Sequence, residues 1–170
     1  MTLLEILDTS IKIGLGALIT GVIAYFNQKA NISASTIKEN LIYNRNLLTN
    51  ISKDVEEINH LILKIWATFE FETKKFQPNP NELSDKLKPL RQSLFNDFNL
   101  LSKNEGLLLL HGYTEQQEKL RAYGELLGKF HSYSLFKNED ISSEKTNEYR
   151  DLILDARKEL YLSLNKAIPK

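Results

Sequence analysis

Residues 37–69 read IKENLIYNRNLLTNISKDVEEINHLILKIWATF. Within them Ile37, Leu41, Asn44, Leu48, Ile51, Val55, Ile58, Ile62, Ile65 and Phe69 succeed one another in alternating steps of four and three. Side chains at that spacing line up on one side of an α-helix, because 3.6 residues complete a turn. Kept up over more than four heptads, the pattern predicts one long helix with a single apolar seam. No Gly or Pro interrupts it. Asn44 is the one polar member of the seam, a device that fixes register in coiled coils. It equally suits the exposed, membrane-near end of an intramolecular bundle helix, in which a stalk-like start passes into a bundle. Leu61, Leu63 and Trp66 widen the stripe toward its end, which suits a helix packed on several neighbours.

Downstream, cap signals mark further helices. Asn79-Pro80-Asn81-Glu82 offers an N-cap, a Pro at the first helical position and an acid in the first turn. Leu83, Leu87, Leu90, Leu94, Phe98 and Leu101 follow at helical spacing, with Pro89 expected to kink or restart the helix. Ser102-x-x-Glu105 reads as a second capping box, leading into Leu107-Leu108-Leu109-Leu110 and a stop at Gly112. Thr114-x-x-Gln117 opens a segment with Leu120, Tyr123, Leu127, Phe130 and Ser134 on one face. A loop around residues 137–140 precedes a last helix carrying Tyr149, Leu152, Ile153, Ala156, Leu160 and Leu164. There is no strand-like alternation and no internal repeat. The expectation is an all-α chain in which residues 29–170 form a mostly antiparallel, cytoplasmic helical bundle.

The N-terminal region reads differently. From Ile13 to Phe26 the chain carries no charge. That run is short of the roughly 20 apolar residues a bilayer needs. Extension back over Thr9, Ser10 and Ile11, with Lys12 snorkelling, gives a usable span. Tyr25 and Phe26 stand where interfacial aromatics belong. The predicted arrangement is an amphipathic lead-in and one transmembrane helix over residues 1–28. A signal peptide fits less well, since Glu5 and Asp8 precede the apolar run where positive charge is needed. A buried core helix or an interfacial helix are the other readings of a run this short. Lys29, Lys38 and Arg45 follow the run, predicting a single-pass inner-membrane protein with its bulk in the cytoplasm. Gly14, Ala17, Gly21 and Ala24 place small side chains along one seam, the pattern that lets membrane helices approach and self-associate.

Chemistry is sparse. Lys+Arg and Asp+Glu both number 22, so the basic surplus of a general nucleic-acid binder is absent. There is no Cys, which excludes disulfides, thiolate catalysis and Cys-based zinc sites. His60, His111 and His131 fall on separate predicted segments without metal-spaced partners. Glu70 and Glu72 are two apart and diverge on a helix. Gly14-x-Gly16 lies inside the apolar run, not between a strand and a helix. Four consecutive Leu at 107–110 cover a whole turn, which predicts burial on all sides or a partner. Arg150 and Arg157 stand one heptad apart, a candidate phosphate or acidic-partner site whose plainer reading is helical salt bridges. No catalytic, cofactor-binding or metal-binding residues are predicted, and no cofactor.

The Leu-rich turn Leu107–Tyr113 (LLLLHGY) and the final helix from Arg150-Asp151-Leu152 to Leu160 carry a resemblance. With an N-terminal anchor and a long helix before them, the chain resembles a loose group of uncharacterised bacterial single-pass membrane proteins. The resemblance implies a membrane-anchored helical protein with no assigned activity. The functional expectation is a non-enzymatic, membrane-anchored interaction or scaffold protein. It would contact the lipid bilayer, form a homo-oligomer or dock a protein partner, and bind no nucleic acid. The alternative is an oligomerising membrane effector, holin-like or active in abortive phage defence.

Overall fold

The computed structural model describes the backbone of residues 3–74, 80–135 and 142–168, with side chains described from residue 20 on. Four helices make up the described chain: α1 (Leu3–Thr73), α2 (Pro80–Leu110), α3 (Thr114–Tyr133) and α4 (Ser143–Ala167). The chain divides into two units, Met1–Arg45 and Asn46–Lys170.

In the second unit the later part of α1 joins α2, α3 and α4 in an up-down-up-down bundle. Cross-helix bonds give each neighbour the opposite direction. Asn104 on α2 donates to Asp54 at 3.0 Å, while Lys86 on the same helix reaches Glu72 at 2.7 Å. On α4, Arg157 bonds Glu56 and Asn147 bonds Glu70. The core is the seam of α1 from Leu48 to Phe69, faced by Leu83, Leu87, Leu94 and Leu108 of α2, Leu120, Tyr123, Leu127 and Phe130 of α3, and Ile153, Leu160 and Leu164 of α4. These apolar stripes fall at helical spacing on every helix, so burying them together is what selects the bundle. Phe69 stacks on Tyr133 at 5.8 Å and also meets Phe130, and both of those rings contact Tyr149.

The transmembrane anchor expected over residues 1–28 is overturned. Among the described residues no helix is long and apolar enough to cross a membrane. The physical reason is length: the uncharged run from Ile13 to Phe26 falls short of the roughly 20 apolar residues a bilayer needs, and Asn27, Gln28, Lys29 and Asn31 close it off on its C-terminal side. The inner-membrane placement rested on that helix. Residue 28, where the expected anchor ended, lies within α1.

Two other local signals lose to tertiary burial. Pro89 lies exposed inside α2, and the helix passes through it. An interior proline costs about 3 kcal/mol. Burial of Leu87 and Leu94 on either side holds the helix together across it. Ser102-x-x-Glu105 does not begin a new helix either. Leu101, Asn104 and Leu108 are buried around it, and Glu105 turns outward to Gln117 and Arg121 of α3.

The stop at Gly112 has the geometry its sequence suggests. Gly112 adopts φ +76°, and Tyr113 N–H donates to the Leu108 carbonyl at 2.8 Å. Gly112 N–H donates to the Leu109 carbonyl at 3.1 Å, completing a Schellman cap. At the start of α4, Ser142 Oγ accepts from Lys145 N–H at 3.3 Å. Asn79 and the loop at 137–140 lie outside the described residues.

Candidate interaction surface

The heptad seam of α1 has two fates. From Leu48 to Phe69 every seam residue is buried, Leu48 being 1% exposed. Ile37 is 58% exposed and Leu41 40% exposed, on the same stripe of the same helix. Asn44 is half-buried and sits between the two regimes. Thus the seam packs within the chain after Asn44, and before it the described side chains from Thr20 to Tyr43 are all exposed.

Traced backward in the same steps of four and three, the stripe passes through Ala34, Ala30, Asn27 and Ile23. The sequence reading began the seam at Ile37. Val22, Phe26 and Ile23 widen the stripe, with Phe26 63% exposed. Gly21 and Ala24, read as membrane-helix association residues, are exposed; the side chains of Gly14 and Ala17 lie outside the described residues. Local bonds add little to this segment: Ser35 Oγ donates to Glu39, and Thr36 Oγ1 donates to the Ile32 carbonyl. Isolated helices need strong propensity or tertiary packing to persist in water. This one contains Gly21 and the β-branched Val22, Ile23, Ile32, Thr36 and Ile37, so its propensity is modest. An apolar stripe of this length, open to water, is the mark of a face that is covered in use.

The other candidates do not converge. His60 is exposed on α1, His111 is half-buried in the turn after α2, and His131 is half-buried on α3. His131 lies against the rings of Phe95 and Phe98, and burial together with the Arg91 charge lowers its pKa. Among the described residues no group of three His, Asp or Glu could hold a metal ion. Arg150 and Arg157 each have in-chain work. The Arg150 guanidinium lies 4.7 Å over the Trp66 ring and bonds Asp151 at 3.1 Å. Arg157 donates twice to Glu56 Oε1 and covers the Tyr161 ring. Burial raises the pKa of Glu56, but the bonds from Tyr161 and Arg157 outweigh it and the net shift is downward. This group lines an open groove of about 740 Å³ between α1 and α4, with Ser52, Lys53 and Leu162.

Glu70 and Glu72 are both buried but serve different ties. Glu70 accepts from Lys74, Ser143 and Asn147, and Asn147 in turn accepts from the Trp66 indole N–H at 2.9 Å. Glu72 pairs with Lys86. These contacts act as struts between helices. The tetra-leucine run is not buried on all sides. Leu108 is fully buried, Leu107 is half-buried, and Leu109 and Leu110 are exposed, because the helix ends there and only one side faces the core. No family model, no curated protein and no solved structure matches the chain.

Proposed function

We propose that this is a non-enzymatic interaction protein. The bundle supplies a stable body, and residues 20–45 of α1 are the docking element through which it self-associates or engages a helical partner. The observation that carries this reading is the change along one seam, buried from Leu48 onward and exposed at Ile37 and Leu41. Recognition of this kind lays one amphipathic helix on another through anchors at i, i+3, i+4 and i+7. The bilayer-perturbing alternative needs a spanning helix and is not carried forward.

A photo-crosslinking amino acid placed in the chain inside its native cell tests the reading. Position 37 or 41 on the stripe is expected to give adducts of discrete mass. Position 39, on the opposite side of the helix, is expected to give none. Adducts from neither face, or equally from both, would overturn it.

A further inference from the structure

The groove between α1 and α4 is tied shut at its base. Tyr161 Oη on α4 lies 2.9 Å from the Ser52 carbonyl and 2.7 Å from Glu56 on α1, and Arg157 bonds the same carboxylate. The charge of Glu56 is thus answered within the chain. The rims are different. Lys53 on the α1 wall and Lys158 on the α4 wall are exposed, and neither has a hydrogen bond or an ion pair among the described residues. Leu162, one turn after Lys158, lines the same wall and is 48% exposed. Between two unanswered ammonium groups the groove therefore offers apolar surface: Leu162, the Tyr161 ring and the aliphatic stems of the Lys and Arg side chains. This local positive surplus stands in a chain whose formal charge sums to zero.

We infer that this groove is a second docking site, separate from residues 20–45, and that its occupant is an acidic amphipathic helix of a partner protein. The shape suits a helix. The α1 wall runs from Thr49 to Glu56, about 10 Å or two turns. That length takes apolar anchors at i, i+3 and i+7 of a helix laid between the walls. The charge sets its chemistry. One cation on each wall meets a carboxylate on each flank of the incoming helix, and complementary rims of this kind select a partner and speed its arrival. A phosphoryl group fits less well. Its best receptor is the guanidinium fork, and Arg157 already spends Nε and Nη2 on Glu56. Neighbouring grooves lack the combination. The α1–α2 groove sets Glu57 and Asp97 beside His60 and Lys64, and in the α2–α3 groove Arg121 is paired with Glu105.

A defined peptide tests the site on the full chain. The probe is a helical peptide of about 14 residues, with Leu at i, i+3 and i+7, Glu on both flanks, and a benzophenone replacing one Leu. After irradiation, adducts are mapped by mass spectrometry. They are expected within residues 49–56 and 157–162 and are expected to fade in high salt. Lys53→Glu with Lys158→Glu changes two exposed side chains and leaves the base of the groove in place. The pair is expected to weaken labelling there about tenfold. The same peptide with Lys in place of Glu is expected to label wild-type chain poorly and the doubly reversed chain well. Equal labelling of the groove by the Glu and Lys peptides, or labelling unchanged by the double reversal, would overturn the acidic partner. Polyglutamate competing as well as the amphipathic peptide would overturn the helical occupant, because it brings charge without an apolar face. Adducts confined to residues 20–45 would overturn this site and leave the docking reading of α1 standing.

Discussion

Gly106 and Gly112 carry opposite predictions. A Cβ at Gly106, inside α2, meets nothing within 4 Å. Gly106→Ala is expected to stabilise the chain by about 0.5–1 kcal/mol, since Gly spends more backbone entropy in a helix than Ala does. Gly112 also has open space, but its φ is +76°. Gly112→Ala is expected to cost about 1 kcal/mol because an L side chain is strained in that region. Urea midpoints of the two variants, shifted in opposite directions, check the pair. Glu70 gives a pH dependence. Hydrogen bonds from Lys74, then Ser143 and Asn147, and the Lys74 charge lower its pKa against the cost of burial. A carboxylate with a lowered folded-state pKa contributes stability that is fully present above its unfolded value. That contribution disappears as pH falls through the folded value. Below about pH 4 the α1–α4 tie is expected to loosen, and Glu70→Gln is expected to flatten that acid limb. Trp66, the only Trp, reports it through Asn147, so an acid titration of its fluorescence identical in both proteins would refute the assignment. Neither residue's role was fully written in its type. Gly112 was legible as a stop because its function is local. Glu70 was read only as diverging from Glu72 on a helix, because its partners, Ser143 and Asn147, lie more than 70 residues away.

At the scale of the element, α1 is one helix with two environments. Ile58 is fully buried, and Ile58→Ala is expected to cost about 2–5 kcal/mol in a dilute chain. Ile37→Ala, on the same seam, is expected to stay within about 0.5 kcal/mol under the same conditions. Equal losses from both, measured by denaturant unfolding at low concentration, would mean the early seam is packed within the chain after all. The helices themselves were legible, because a stripe at 3.6-residue spacing records which face is buried. The interruptions predicted at Pro89 and Ser102 were not real, because a local breaker worth a few kcal/mol was set against Leu87, Leu94, Leu101 and Leu108 in one core. The membrane span failed for a related reason. A short apolar run was extended to spanning length by taking in the polar residues at its edges, and among the described residues no helix is long and apolar enough to cross a membrane.

At the scale of the molecule, ordering of residues 20–45 is linked to association and the bundle is not. Far-UV helicity is therefore expected to rise with chain concentration, by mass action, while Trp66 fluorescence stays constant. Helicity independent of concentration over a range in which the chain self-associates would break that link. The bundle loses little on dilution because its seam from Leu48 to Phe69 is closed by the chain's own helices.

The sequence by itself determined that the chain is helical, where its apolar stripes run and that α2 stops at Gly112. These follow from backbone geometry and local hydrogen bonding, which act over a few residues. Only the tertiary structure decided where the α1 seam passes from covered to open. Asn44 and Leu48 belong to one unbroken repeat, and the polar Asn44 marks a place where coverage could change without fixing that it does. The difference is that α2, α3 and α4 return to cover the seam from Leu48 onward and leave Leu41, Ile37 and the stripe before them exposed. Coverage is set by where distant segments of the chain end, and that is a property of packing.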